Sequence, residues 1–256
     1  TRDWSSDVCS SDLEDSVREY SYYISSYSDV AFRAGYDLDE AFFWLGRSHY
    51  EVGNGLLKSG ENEAGNDNIQ QALSQYERIF EQFPETDITS RIYFYQAQAY
   101  QKINNEENLN NAIAKYNQLL EEFPETPYIE FCYFFIARAY QSLEQYDDAI
   151  TYYDKINDEF PESLQMDSAM MERAIAYRKK GDEDGAIPSF LAVSRNEPSL
   201  FTTARLLLSQ YLLAGGRDSE VIDVVSYAVE DTSAIESLYR LSQLYIMLGN
   251  AKKELG

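Results

Sequence analysis

Apolar residues recur every three or four positions along most of the chain, and short polar stretches that hold glycine or proline interrupt them. This spacing predicts amphipathic α-helices. Residues 130–163 show it most clearly, as two successive helical runs, and Pro161 prevents the second run from continuing. Small alanines let the two helices approach closely, while large tyrosines fill the space beside them. The apolar positions of the two runs are Tyr133, Ile136, Ala137 and Tyr140, then Ala149, Tyr153 and Ile156.

This two-helix unit is repeated along the chain. A proline follows four of the predicted helix ends, three times in the segments "EQFPET", "EEFPET" and "DEFPES", at intervals of 40, 37 and 37 residues. A tyrosine in segments such as "AQAY" and "ARAY" recurs at intervals of 40, 37, 34 and 34 residues. Two independent markers with nearly one period predict internal repeats. The markers are Pro84, Pro124, Pro161 and Pro198, and Tyr100, Tyr140, Tyr177, Tyr211 and Tyr245.

The pattern resembles the tetratricopeptide repeat, in which a helix pair carries W-x2-L-G-x2-Y, then A-x3-F, then P. The resemblance implies an all-α, right-handed α-solenoid whose helix pairs supply the core to one another. An insertion in the first pair, "GLLKSGENEAGNDN", is expected to lengthen its turn as a mobile loop. The array is predicted over residues 39–256, with pairs at about 39–86, 90–126, 130–163, 167–200, 201–234 and a truncated 235–256.

Residues 1–38 precede the predicted array. We expect residues 14–38 to be the remaining helix of an earlier repeat, packed on the first pair. Residues 3–13, "DWSSDVCSSDL", resemble a translated sequencing adapter and show no helical or strand pattern. We therefore expect residues 1–13 to be an artefact without fixed structure. On this interpretation the chain is a fragment, and the true N-terminus, with any signal peptide or lipid-bearing cysteine, is missing.

Charge narrows the choice of partners. The 256 residues include 44 acidic and 21 basic side chains, for a net charge of −23. Such a field repels phosphate, which argues against nucleic acid and against an anionic membrane surface. No run of 18 apolar residues occurs, so no transmembrane helix is predicted.

Few residues suggest chemistry. His49 is the only histidine, and Cys132 lies within the aromatic segment "FCYFF", so packing is the favoured role for both. The sequence contains neither a G-x-x-x-x-G-K-[ST] loop nor a G-x-G-x-x-G motif. We therefore expect a non-enzymatic protein without a metal or another cofactor.

The resemblance implies an interaction scaffold that binds an extended peptide or a partner helix in a concave groove. The "FPET" and "FPES" spacing is also similar to that of bacterial envelope repeat proteins, the Tol-Pal-associated coordinators and the outer-membrane assembly lipoproteins. That similarity implies a role in envelope assembly, in the periplasm or at the outer membrane. Two alternatives stay open: a carbohydrate- or peptidoglycan-binding envelope protein, and a helper domain of a larger enzyme. Exposed aromatic pairs would favour sugar binding, whereas tyrosines used in helix packing would favour the scaffold.

In this family, five positions of each first helix line the concave face. In this chain those positions hold seven basic and three acidic side chains, a net charge of +4 within a chain of −23. We predict a basic stripe that binds an acidic or C-terminal-carboxylate peptide, with phenylalanines as apolar anchors. The alternative is that these cations pair with acidic neighbours on adjacent helices. The predicted groove residues are Phe43, Arg47, Arg91, Phe94, Lys102, Phe131, Phe134, Arg138, Arg178, Lys179 and Arg205.

Overall fold

The computed structural model describes residues 10–34, 38–235 and 237–255. These residues form twelve α-helices and one short 3-10 turn, with no strand among them. The fold class is therefore all-α, as predicted. By its internal contacts the chain divides into two compact units, unit 1 with residues 1–143 and unit 2 with residues 144–256.

Unit 1 contains six helices, and each packs on the next along the chain. Two-residue turns join the second helix to the third and the fourth to the fifth, so these helices form antiparallel pairs. The helices are α1 (Ser10–Ala34), α2 (Leu38–Ser59), α3 (Asn62–Gln82), α4 (Thr89–Ile103), α5 (Glu106–Glu122) and α6 (Ile129–Ser142).

The first helix begins earlier than the sequence analysis expected. Residues 10–13, which we expected to lack fixed structure, form the first turn of α1, while residues 1–9 lie outside the described residues. Farther along α1, Ile24 is buried in one core cluster with Phe42 and Phe43 of α2. Packing on α2 thus stabilises α1.

Unit 2 contains the other six helices. A two-residue turn joins α8 to α9, and a three-residue turn joins α10 to α11. The elements are α7 (Tyr146–Glu159), α8 (Met166–Lys180), α9 (Glu183–Ala192), α10 (Pro198–Ala214), α11 (Asp218–Glu230), the 3-10 turn (Thr232–Ala234) and α12 (Leu238–Glu254).

The "FPET" motif ends a second helix and turns the chain toward the next repeat. At its first copy, the N–H of Phe83 donates to the carbonyl of Ile79 at 2.7 Å, and the N–H of Thr86 donates back to Phe83 at 3.1 Å. Pro84 occupies the second position of this turn, where its fixed φ is suitable and no N–H is needed. The same turn closes at 3.0 Å between Thr126 and Phe123, and at 2.9 Å between Ser163 and Phe160.

The second helices of four repeats, α3, α5, α7 and α9, each bury an alanine and an aromatic ring one turn apart. The small side chain lets the neighbouring helix approach, and the ring fills the remaining volume. This alternation explains the A-x3-F part of the sequence pattern. The side chains of Ala72 and Tyr76, Ala112 and Tyr116, Ala149 and Tyr153, and Ala186 and Phe190 have no exposed surface.

The insertion in the first pair is helical, which corrects the expected mobile loop. It lengthens α2 to 22 and α3 to 21 residues, against 15 in α4 and 17 in α5. The two long helices cross tightly: a Cβ on Gly53 would lie 2.7 Å from the carbonyl oxygen of Gly65, and one on Gly65 would lie 2.7 Å from Cγ of Leu57. Two glycines therefore allow α2 and α3 to stay packed beyond the usual repeat length. We call residues 53–66 the hairpin extension.

Candidate functional site

Unit 1 holds an open cavity of about 680 Å³. Its walls come from α2 and the hairpin extension, from the C-terminal half of α4 with the residue that follows it, and from α6. Two of its lining residues, Lys102 and Arg138, are cationic, and none is a carboxylate. The lining residues are Tyr50, Leu57, Asn62, Asn66, Gln98, Gln101, Lys102, Ile103, Asn104, Phe135, Arg138 and Ser142.

Helical spacing brings the wall residues of α4 onto one face. Gln101 and Lys102 lie three and four residues after Gln98, so both side chains project from the same face of the helix as Gln98. Gln101 also ties α4 to two neighbours. Its Nε2 donates to the carbonyl of Phe135 at 2.9 Å, and its Oε1 accepts from the hydroxyl of Tyr116 at 3.4 Å. This wall is therefore held by hydrogen bonds from both sides.

The cations of the cavity lie close enough to affect each other. Burial lowers the pKa of Lys102, and the positive charges of Lys58 and Arg138 lower it further, while Glu51 acts in the opposite direction. Neither Lys102 nor Arg138 forms an ion pair with any described residue. The lining of the cavity thus holds two cations and no carboxylate, and the nearby Glu51 offsets their charge without forming an ion pair with either of them.

Two other cations of the predicted stripe are neutralised within unit 1. Arg47 pairs with Glu51 at 2.6 Å on the same helix, and its guanidinium lies 4.5 Å from the ring centroid of Tyr95. Arg91 pairs with Glu40 across two helices. These two arginines follow the alternative that the sequence left open, in which the cations pair with acidic neighbours.

The structure corrects the prediction that phenylalanines form open anchor pockets. Phe43, Phe94 and Phe134 are 1%, 5% and 8% exposed. Phe94 stacks on Tyr128 with ring centroids 4.5 Å apart, and half-buried Phe131 meets Phe94 edge-on at 6.4 Å. Consecutive helices are close enough for these rings to pack on each other, so they belong to the core rather than to a binding surface.

The three remaining predicted residues belong to unit 2. Arg205 is 2% exposed and donates to the carbonyls of Phe190, Leu191 and Val193, so it closes the end of α9 rather than facing a ligand. Burial lowers the pKa of Arg205 to about 10. Arg178 and Lys179 lie in the last turn of α8 and form no ion pair with a described residue.

Comparison with known families decides the identity of the repeat. Sequence profiles described as tetratricopeptide repeat match residues 40–86, 92–126 and 134–200, which together exceed half of the chain. The chain belongs to the tetratricopeptide repeat family. The repeats make it a protein–protein interaction scaffold. No curated protein sequence matches the chain.

Solved structures share the tetratricopeptide repeat fold at low sequence identity. BtubC (BKLC) from P. vanneervenii is 15% identical, with 94% of this chain and 90% of that chain covered and a TM-score of 0.55. The apo form of RapI is 12% identical, with 96% and 71% covered and a TM-score of 0.53. A putative kinesin light chain from Podosopora anserina is 17% identical, with 82% and 97% covered and a TM-score of 0.51. At these identities the similarity shows the fold alone.

Sequence reasoning missed the part of the cavity that departs from the tetratricopeptide repeat pattern. Leu57, Asn62 and Asn66 come from the hairpin extension, for which the sequence predicts a loop. A signal was present: the insertion keeps apolar residues in helical register, with Gly53 just before it and Gly65 within it. The other lining residues outside the predicted concave positions are Ile103, Asn104 and Phe135.

The two residues singled out for chemistry lie within helix contacts. His49 Nδ1 lies 3.2 Å from Oδ1 of Asn68, which links α2 to α3, and burial lowers the pKa of His49. Cys132 is buried, and burial raises its pKa to about 12, so its thiolate is disfavoured. Within the described residues no group of three or more His, Cys, Asp or Glu is placed to hold a metal ion. None of the helices in that part of the chain combines the length and the apolar character that crossing a bilayer requires.

Proposed function

We propose that unit 1 binds an acidic, extended segment of a partner protein in the cavity, through Lys102 and Arg138. The observation that carries the proposal is the lining of the cavity, which holds two cations and no carboxylate in a chain of net charge −23. Elsewhere the excess of acidic side chains repels an anionic ligand. A local reversal of charge therefore both attracts such a ligand and selects where it docks.

The two cations are suited to different parts of this task. Arg138 is exposed, and its planar guanidinium can hold a carboxylate through two parallel hydrogen bonds. Lys102 is partly buried beside two other cations. An incoming carboxylate would relieve that repulsion, so binding should stabilise the charged form of Lys102. Together they favour a ligand with at least two negative charges.

Carbohydrate binding has less support from this structure. Sugar stacking needs open aromatic faces. Among the described residues, four tyrosines outside the repeat cores are exposed, Tyr22, Tyr227, Tyr239 and Tyr245, but Tyr76, Tyr116 and Tyr153 are among the largest fully buried side chains. Their use in helix packing is the outcome that we expected to favour a scaffold. The envelope role and the helper-domain alternative remain predictions from the sequence.

Binding of a defined acidic peptide tests the proposal. The probe is fluorescein-labelled, acetylated hexaglutamate amide, titrated with the full chain at low salt and followed by fluorescence anisotropy. The paired substitution of Lys102→Gln and Arg138→Gln should weaken binding about tenfold or more, because two charge-assisted contacts are lost. Added salt should also weaken binding, because partly exposed charges are screened.

A matched control separates the site from the general charge. Arg178→Gln with Lys179→Gln removes the same two charges from unit 2, again from residues without a described ion-pair partner. This control should bind hexaglutamate within about twofold of the original chain. Equal weakening by both pairs of substitutions, or no binding of hexaglutamate by the original chain, would contradict the proposal.

A further inference from the structure

The hairpin extension adds a wall to the cavity that the other described helix pair of unit 1 lacks. Leu57, Asn62 and Asn66 line the cavity from this extension. The pair α4–α5 has no equivalent, because its helices are 15 and 17 residues long. The cavity is therefore bounded partly by the common repeat and partly by an element particular to this repeat.

Tight packing holds this wall in place. Gly53 and Gly65 bring the two helices into backbone contact range, and Leu57 packs over Gly65. Leu57 also joins a core cluster with Ile69 and with Ile103 of α4. The extension is thus a packed helical element rather than a flexible insertion, and it can present side chains at fixed positions.

Asn62 and Asn66 are the polar side chains of the wall. They lie four residues apart on α3, and neither has a hydrogen-bond partner among the described side chains and backbone groups. Asn68, two residues farther along, differs because it already contacts the carbonyl of Ala64 and the ring of His49. The two wall asparagines therefore retain their amide donors and acceptors for a ligand.

The spacing of these amides matches an extended peptide. Four residues of α-helix rise about 6 Å. Two residues of an extended chain rise about 6.6 Å. A peptide that runs along α3 can therefore place alternate peptide groups beside Asn62 and Asn66. The side-chain amide offers both a donor and an acceptor, as a peptide group requires.

We infer that the hairpin extension determines specificity, and that Asn62 and Asn66 bind the main chain of the peptide whose acidic side chains contact Lys102 and Arg138. This inference rests on the proposed function and deepens it. The site then selects a polypeptide over a simple polyanion, because only a polypeptide supplies peptide groups beside its carboxylates.

Two probes distinguish main-chain recognition from charge alone. Labelled, acetylated hexaglutamate amide carries carboxylates and peptide groups, whereas a labelled acrylate oligomer with six carboxylates carries no peptide group in its chain. Asn62→Ala with Asn66→Ala should weaken binding of hexaglutamate about tenfold, since two hydrogen bonds are lost. The same variant should bind the acrylate oligomer within about twofold of the original chain.

A control on the same helix accounts for general effects of removing polar side chains. Gln70→Ala with Ser74→Ala changes two exposed residues, also four apart on α3, that do not line the cavity. It should leave binding of both probes unchanged. Thermal unfolding of every variant by circular dichroism checks that α3 stays folded.

The possible outcomes separate the inference from the proposed function. If hexaglutamate binding depends on Lys102 and Arg138 but not on the two asparagines, the inference is overturned and the proposed function stands. The inference also fails if the asparagine variant weakens both probes equally, or if the control weakens hexaglutamate as much. If the original chain binds neither probe, both are overturned.

Discussion

The helix pairs α2–α3 and α8–α9 depart from one repeat plan in opposite directions. The first pair is lengthened to 22 and 21 residues and held by two glycines at the crossing, while the second has 15 and 10 residues. The guanidinium of Arg205 binds the carbonyls at the end of the short α9. Both pairs nevertheless keep the buried alanine and aromatic ring of the repeat. The repeat thus conserves its core geometry within this chain, and individual features arise at the helix ends.

The largest effect on stability is expected at the C-terminal end of α9, where Arg205 donates hydrogen bonds to the main-chain carbonyls. Arg205→Met should lower the free energy of unfolding by about 3 kcal/mol, because buried carbonyls lose their charged donor. Urea unfolding followed by circular dichroism measures this change. As a control, Arg178→Met removes a cation without a described ion-pair partner and should cost about 0.5 kcal/mol or less. Equal costs would mean that the buried contacts of Arg205 do not stabilise the end of α9.

The next largest effect on stability is expected where α2 and α3 cross at Gly53 and Gly65. Gly53→Ala places a Cβ 2.7 Å from the carbonyl oxygen of Gly65, so the helices must separate, at a cost of about 2 kcal/mol. Gly55→Ala, two residues away on α2, meets nothing within 4 Å and should instead stabilise the helix by about 0.5–1 kcal/mol. The free energies of unfolding, measured with urea, should therefore change in opposite directions in the two variants. If both substitutions stabilise the chain, the crossing is looser than the structure shows.

Sequence reasoning recovered the features that repeat and missed those that do not. Apolar spacing and the "FPET" segments predicted the helices and the family, because every copy uses the same core and the same turn. The extra turns around Gly53 occur only once, and polar composition made them look like a loop. Position in the repeat also could not separate exposed Arg138 from buried Arg205, because burial depends on where a neighbouring helix ends. The ion pair of Arg91 with Glu40 likewise joins residues 51 positions apart.

The stability of the long pair should depend on pH through His49, whose ring contacts Asn68. Burial lowers the pKa of His49 below its usual value, so the unfolded chain binds a proton at a higher pH than the folded chain. The stabilisation is present above about pH 6.5 and is lost as the pH falls through the folded pKa. Between about pH 7 and pH 5 the original chain should lose stability relative to His49→Gln, measured by urea unfolding.

The short pair supplies the comparison for this effect. Its polar contact joins Arg173 to the hydroxyl of Ser189 at 3.1 Å and involves no histidine. Ser189→Ala should therefore change stability by the same amount at each pH. A difference between the original chain and His49→Gln that stays constant with pH would show that His49 does not titrate on unfolding in this window.

The smallest expected effect is that of Tyr76→Phe, which removes one hydroxyl group and makes the core of the long pair resemble that of the short pair. Tyr76 in α3 and Phe190 in α9 occupy the same position of the repeat, and both are fully buried. The hydroxyl of Tyr76 has no hydrogen-bond partner in the part of the chain that the structure describes, and burial raises the pKa of Tyr76. Because an unpaired buried hydroxyl is unfavourable, Tyr76→Phe should stabilise the chain by about 0.5–1 kcal/mol.

Phe190→Tyr adds such a hydroxyl group and should cost about 1–2 kcal/mol. Tyr116→Phe is the control, since its hydroxyl reaches Gln101 at 3.4 Å, and it should bring no gain. A loss of stability in Tyr76→Phe, measured by urea unfolding, would mean that its hydroxyl is hydrogen-bonded in solution.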